Sequence, residues 1–317
     1  MRNGGLKLKR LKFVTGYQPL ILFSLFVFLL ASCASAPRVS FSPEQESREL
    51  SILPAGAKVY LWADVVHGRP LLEAISSLYI SGDGVSDILD STHSAAAAFF
   101  PAEGEGRRFF LAASGSYPRN RANMALGFNR GWRRQRSVTG NTYWYSEQEN
   151  IALAVGSNIA LVSNIDPYDN FEFEIPPPGF AEFNRGFVLA GWMNDPSPTI
   201  NNFIATMGVP LQVPAEDFFF GVASAPAVGS EDWELFFRIG TASPTHAQSL
   251  LALFSMARFF VSMGPQQPAA DPSLMSPMDA ARLLFANIPE VEEEALILRI
   301  GPLDEVRIAL LFSMFQV

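Results

Sequence analysis

The sequence predicts an α+β fold built from two pseudo-repeated β-α-β-β-α-β-β units, with helices packed on antiparallel sheets. Three observations carry that prediction. Short apolar and aromatic runs bounded by Gly, Pro, Asn or Ser alternate with longer runs of helical periodicity. The same order of runs occurs twice at a nearly constant offset. The chain has 317 residues, 49% of them hydrophobic and 27 of them Phe, enough to fill a sizeable core.

The first unit opens with a strand at 58–63, followed by a helix through Pro70-Leu71-Leu72-Glu73-Ala74-Ile75. The second opens with a strand at 186–192, followed by a helix through Thr199-Ile200-Asn201-Asn202-Phe203-Ile204. Residues 95–100 correspond to 218–223, again as strands. The clearest correspondence aligns 107–118 with 233–244, a strand running into a helix with proline at its start, where proline is best tolerated. Ser243 is the expected cap of the second of these helices. Two apolar strands are expected to close each unit: 151–155 and 159–162 about the turn Gly156-Ser157-Asn158, then 295–300 and 306–312 about Gly301-Pro302-Leu303-Asp304-Glu305. The expected boundaries are 1–32 for a signal peptide, 33–52 for a flexible tether and 53–165 for the first unit. A linker at 166–185 and a second unit at 186–317, with a Pro-rich insertion at 264–278, complete the organisation.

The amino terminus is a targeting signal. Arg2, Lys7, Lys9, Arg10 and Lys12 precede an apolar run from Pro19 to Ala31. Such a run is too short for a bilayer span, which needs about 20 residues, and suits a cleaved signal. Leu30-Ala31-Ser32-Cys33 follows and resembles the bacterial lipobox: an aliphatic residue, two small residues and a cysteine. The alternative cut at Ala34-Ser35-Ala36 would place Pro37 directly after it, which is unfavourable. The resemblance implies that Cys33 carries diacylglycerol on its sulfur and further acyl chains such as palmitate. It also implies a cell-envelope location, lipid-anchored, on the outer membrane because no aspartate follows Cys33. The Phe-rich signal and the serine before the cysteine look like spirochaete lipoproteins. The opening Leu53-Pro54-Ala55-Gly56-Ala57, then a strand, resembles uncharacterised bacterial envelope proteins with duplicated halves. The tether, with about 18 residues of coil, would reach about 25 Å from the headgroups.

Removing residues 1–32 leaves 18 basic against 31 acidic side chains. A body that acidic is a poor partner for nucleic acid. The cation distribution is uneven, however. Eight arginines and no acid lie between Arg107 and Arg136, and Tyr143-Trp144-Tyr145 follows them. Guanidinium groups bind carboxylate or phosphate with two parallel hydrogen bonds and stack on rings. Arg119, Arg121, Trp132, Arg133, Arg134 and Arg136 are therefore the candidate contact for an anion, an envelope protein or a lipid. The same arginines also suit internal pairing with the excess acid.

Catalytic motifs are missing. His67, His93 and His246 have no metal-ligand spacing. The acids Asp83, Asp87 and Asp90 lack the alternation of a calcium loop. There is no Gly-x-Ser-x-Gly elbow and no phosphate-binding glycine loop. Neither metal nor cofactor is expected, and no catalytic residue is assigned. The apolar segment 246–263 is expected to be a mainly buried helix. Together with Phe218-Phe219-Phe220 it motivates an alternative reading, a carrier of an apolar ligand in the periplasm. The leading expectation is a non-enzymatic binding or assembly factor of the envelope.

Overall fold

The computed structural model describes residues 49–77, 84–103, 106–168, 179–183, 186–206, 212–224, 232–263 and 277–314. Cys33, the signal segment and residues 264–276 of the insertion lie outside them. The strands are β1 (Val59–Asp64), β2 (Thr92–Glu103), β3 (Gly106–Gly115), β4 (Arg133–Arg136), β5 (Thr142–Ser146), β6 (Ile151–Val155), β7 (Ile159–Ser163), β8 (Leu189–Asn194), β9 (Asp217–Ser224), β10 (Trp233–Gly240), β11 (Glu290–Glu292) and β12 (Ala295–Leu303). The helices are α1 (Arg69–Ser77), α2 (Gly84–Ser91), α3 (Arg119–Phe128), α4 (Phe180–Phe183), α5 (Ser197–Thr206), α6 (Pro244–Met263), α7 (Pro277–Leu284) and α8 (Glu305–Met314).

Among the described residues, one twelve-stranded sheet runs in the order β11-β12-β10-β9-β8-β1-β2-β3-β7-β6-β5-β4. Every neighbouring pair is antiparallel. The chain's halves meet at β1 and β8, where Tyr60 faces Trp192 and Trp62 faces Ala190. Outward from that seam the order is β2, β3, β7, β6 on one side and β9, β10, β12, β11 on the other. The first side then extends by β5 and β4.

Period-2 alternation sends alternate residues to opposite faces of the sheet. Phe109, Ala113, Leu153 and Val162 point to one face, where Ile88 of α2 and Ala122 and Leu126 of α3 cover them. On the same face of the other half, Val222, Leu235, Leu298 and Ile300 meet Leu71 of α1, Ala280 of α7 and Ile308 and Leu311 of α8. The opposite face carries Tyr60, Ala98, Phe110 and Ala152 and is covered by Leu50, Leu53 and Phe180. The larger helices thus share one face, as expected from the sequence. Gly191 and Gly221 keep the sheet compact where aromatic rings cross it. A Cβ on Gly191 would collide with the Phe220 ring, and one on Gly221 with the Phe187 ring.

Two expected boundaries shift. Glu49 and Leu50 are buried, and Leu50–Ile52 forms a 3-10 turn, so the chain is already packed before residue 53. Tyr60 locks this turn region by donating its hydroxyl to Pro54 O (3.0 Å) and accepting the Ala57 N–H (3.2 Å). At the carboxyl end, 306–312 is helix α8 and not the expected strand. Asp304 Oδ1 accepts the Arg307 N–H at 2.8 Å, an N-cap, and Ile308, Ala309 and Leu311 are buried at helical spacing. The closing pair of the second half is therefore β11 and β12. Residues Gly84–Ser91 fold as helix α2, held by Arg69, which pairs with Asp90 and Glu73 and donates to Ser86 Oγ.

Candidate functional site

The arginine-rich segment folds as β3, helix α3 and the hairpin β4–β5. Helix α3 is fixed by its buried side, Ala122 and Leu126, and by Asn123, whose Oδ1 accepts the Trp144 indole N–H at 2.8 Å. Just before it, Tyr117 is buried with its hydroxyl 3.1 Å from Thr92 Oγ1. Burial pushes the Tyr117 phenol far above its ordinary range. Arg119 and Arg121 stand exposed in the first turn, which holds no acid. They line, with Pro118, Asn120 and Ser157, a wide-open depression of about 440 Å³. Tyr168 lies within the field of Arg119. Burial raises the Tyr168 pKa, and the arginine offsets part of that.

Trp132 departs from the expectation of a surface contact. Its ring is 8% exposed and belongs to the core beneath α3. The arginines that follow it are all exposed, along the whole of β4. β4 pairs with β5 in the register Arg133–Tyr145, Arg134–Trp144, Gln135–Tyr143, Arg136–Thr142. Arg133 and Gln135 therefore project from the face opposite the large helices, and Arg134 and Arg136 from the helix side. Arg133 pairs with Glu147 at 2.9 Å, both side chains mostly exposed. Arg134 donates to Thr142 Oγ1 at 3.4 Å and Arg136 to Gly140 O at 3.0 Å. Tyr143 donates its hydroxyl to Gln135 Oε1 at 2.9 Å. The hairpin turn closes through Ser137 N–H to Asn141 O (2.8 Å), and Gly140 supplies its positive φ of 86°.

The structure thus divides the candidate residues. Arg119 and Arg121 occupy one end of a ten-residue helix, and Arg133, Arg134 and Arg136 follow its other end. Such a helix is about 15 Å long. Sequence reasoning misses Glu147, which pairs with Arg133 from just beyond the end of β5.

Residues 44–171 match the family described as "Outer membrane-associated lipoprotein TP0453". The match includes the arginine-rich segment. "Outer membrane protein TP0453" of Treponema pallidum (strain Nichols) is 32% identical over 104 residues, which are 33% of this chain and 35% of that relative. This chain therefore covers about a third of the curated relative's length in that comparison. Two solved structures, crystal forms I and III of TP0453, have the same fold. Each gives a TM-score of 0.53, at 18% and 17% identity, covering 85% and 84% of this chain and 98% of each of theirs. The chain is related to a spirochaete lipoprotein, in agreement with the lipobox, and it is a lipid-anchored protein of the cell envelope.

The remaining candidates have structural surroundings. His67 Nδ1 lies 2.7 Å from Asp64 Oδ2 on the surface, and the His246 N–H is capped by Ser243 Oγ at 3.3 Å. Among the described residues no three His, Cys, Asp or Glu side chains gather as a metal site. Phe218, Phe219 and Phe220 fill the core on both faces: Phe218 stacks on Phe237, Phe219 packs on Phe183 and Phe236, and Phe220 meets Phe312. Helix α6 is less buried than expected. Ala247, Leu250, Ala257 and Val261 are buried, whereas Met256, Phe259 and Met263 are 53%, 58% and 64% exposed. Among the described residues no helix is long and apolar enough to cross a membrane.

Proposed function

We propose that this lipoprotein works by binding, not by catalysis, as an assembly or docking factor at the outer membrane, and that the edge strand β4 makes the contact. The supporting observation is that Arg133, Arg134 and Arg136 stand exposed on the outermost strand of the sheet, each held by one weak local partner. A guanidinium has five N–H donors, so each retains capacity for a carboxylate or phosphate. Arg119 and Arg121 supply a second basic spot around an open depression, at a helix end that already favours anions. The membrane partner is reached through lipid on Cys33.

The test is capture from native envelopes with the acylated protein. Changing Arg133, Arg134 and Arg136 together to Gln should abolish salt-sensitive capture while the melting temperature stays nearly constant. Unchanged capture with a lowered melting temperature would make these arginines structural and end this reading. Replacing Cys33 by Ala should release the protein from detergent extracts into the aqueous phase; full retention would remove the lipid anchor from the reading. The apolar-carrier alternative draws its support from the exposed Met256, Phe259 and Met263 on α6. Its test is co-purifying lipid, which Phe259→Ser with Met256→Ser should reduce.

A further inference from the structure

The two outer strands of the sheet carry opposite charge. At one edge β4 reads Arg-Arg-Gln-Arg, all four exposed. At the other, β11 reads Glu-Val-Glu with both glutamates exposed, and exposed Glu293 and Glu294 follow. Among the described residues β4 pairs only with β5, and β11 only with β12. Charged edges ordinarily keep sheets apart by like-charge repulsion. Opposite charges at the two edges block β4 against β4 and β11 against β11, yet leave β4 against β11 attractive.

The topology makes that pairing geometrically continuous. Twelve strands that are all antiparallel to their neighbours leave β4 and β11 running in opposite directions. A second copy in the same orientation brings its β11 antiparallel to β4. Following the register across the sheet, one row of facing residues passes through Tyr60 and Trp192 at the seam. It ends at Arg133 on β4 and at Glu290 on β11. The two end residues project from the same face. Extending the row into a second copy sets Arg133 opposite Glu290, with Gln135 opposite Ile288.

We propose that copies of this chain associate head to tail, the basic edge β4 of one against the acidic edge β11 of the next. The interface is heterologous and does not close on two copies, so it generates chains of subunits. This deepens the binding reading above, on which it rests, by naming the partner as a second copy. Single exposed ion pairs are weak, and confinement of the lipid-anchored chain to a surface supplies the effective concentration that the pairing needs.

The experiment uses two full-length acylated variants, Gln135→Cys and Ile288→Cys, both at exposed uncharged positions. The chain's one native cysteine is occupied by lipid. The variants are mixed in phosphatidylcholine vesicles and treated with a short bismaleimide. The 135–288 cross-link should exceed both homotypic links. It should fall about tenfold or more between about 0.01 M and 1 M salt, as screening shortens from about 30 Å to about 3 Å. Changing Arg133, Arg134 and Arg136 to Glu in the Gln135→Cys partner should abolish the link. Adding Glu290→Lys and Glu292→Lys to the other partner should restore it. Equal yields of the three links, a yield indifferent to salt and charge reversal, or no link would overturn the proposal. Because only this protein and neutral lipid are present, those outcomes would leave capture of a different envelope component to stand or fall separately.

Discussion

Helices α3 and α6 each follow the third strand of their half and pack on the same sheet face, and yet they present different surfaces. Helix α3 has ten residues, begins with two arginines and buries only Ala122 and Leu126. Helix α6 has twenty residues and carries apolar side chains on nearly all sides, with Met256, Phe259 and Met263 left in solvent. The order of the inner strands matches on the two sides of the seam while the surfaces diverge. Matching strand order therefore reports how the core is built, and the surface chemistry of each half must be read separately.

The largest expected effects would test whether the halves behave as one body. Phe110→Ala in the first half and Phe219→Ala in the second remove side chains that are 1% and 0% exposed. Each should cost about 3–5 kcal/mol. Both should lower one common unfolding transition, seen by calorimetry; two separable transitions would break the seam argument. The helix comparison sharpens next. Leu126→Ala in α3 and Leu250→Ala in α6 should each cost about 2–5 kcal/mol. Phe128→Ser and Phe259→Ser, at 81% and 58% exposed positions, should change stability by about 0.5 kcal/mol or less in denaturant melts. Asp304→Ala removes the cap of α8 and should cost about 1 kcal/mol.

Tyr117 separates the first half by its response to alkali. Its folded pKa is raised by burial, whereas an unfolded phenol titrates near about 10. Below that value both states are protonated and the contribution is intact. Above it the unfolded chain loses the proton first, so stability falls as pH rises. Melts between about pH 9 and pH 11 should show this fall, and Tyr117→Phe should flatten it. The edge is also tolerant: replacing Arg133, Arg134 and Arg136 by Gln should shift stability by less than about 1 kcal/mol per residue.

Much of this architecture was legible in the sequence. Residues 58–63, 95–100, 151–155 and 233–239 have the apolar and β-branched or aromatic content of strands and fold as strands. The helix at 246–263 and its serine cap were equally readable, because an apolar run of that length exceeds what a strand holds. Residues 306–312 were ambiguous. Seven largely apolar residues fit a buried strand or a buried helix, and only packing against Leu71 and Ile75 selects the helix. β4 was hidden by its composition, since four polar residues gain strand geometry only from Tyr143, Trp144 and Tyr145 beside them. The arginines of the candidate site were visible individually. Their division between two ends of α3, and the burial of Trp132 among them, depend on how the hairpin folds back, which local pattern does not encode. Nor does any local pattern foretell that one sheet joins the halves, because the partners of β1 lie far along the chain.

That seam has a consequence for biogenesis. Tyr60 belongs to the first strand among the described residues, and its neighbour Trp192 is synthesised only after the whole first half. A chain made from its amino end therefore holds β1 as an open, aromatic edge until β8 arrives. Long-range pairing of this kind is slow and leaves the unfinished sheet prone to wrong partners. The vulnerable species in the cell is thus a half-made chain, and a helper that shields a strand edge during synthesis would act on β1.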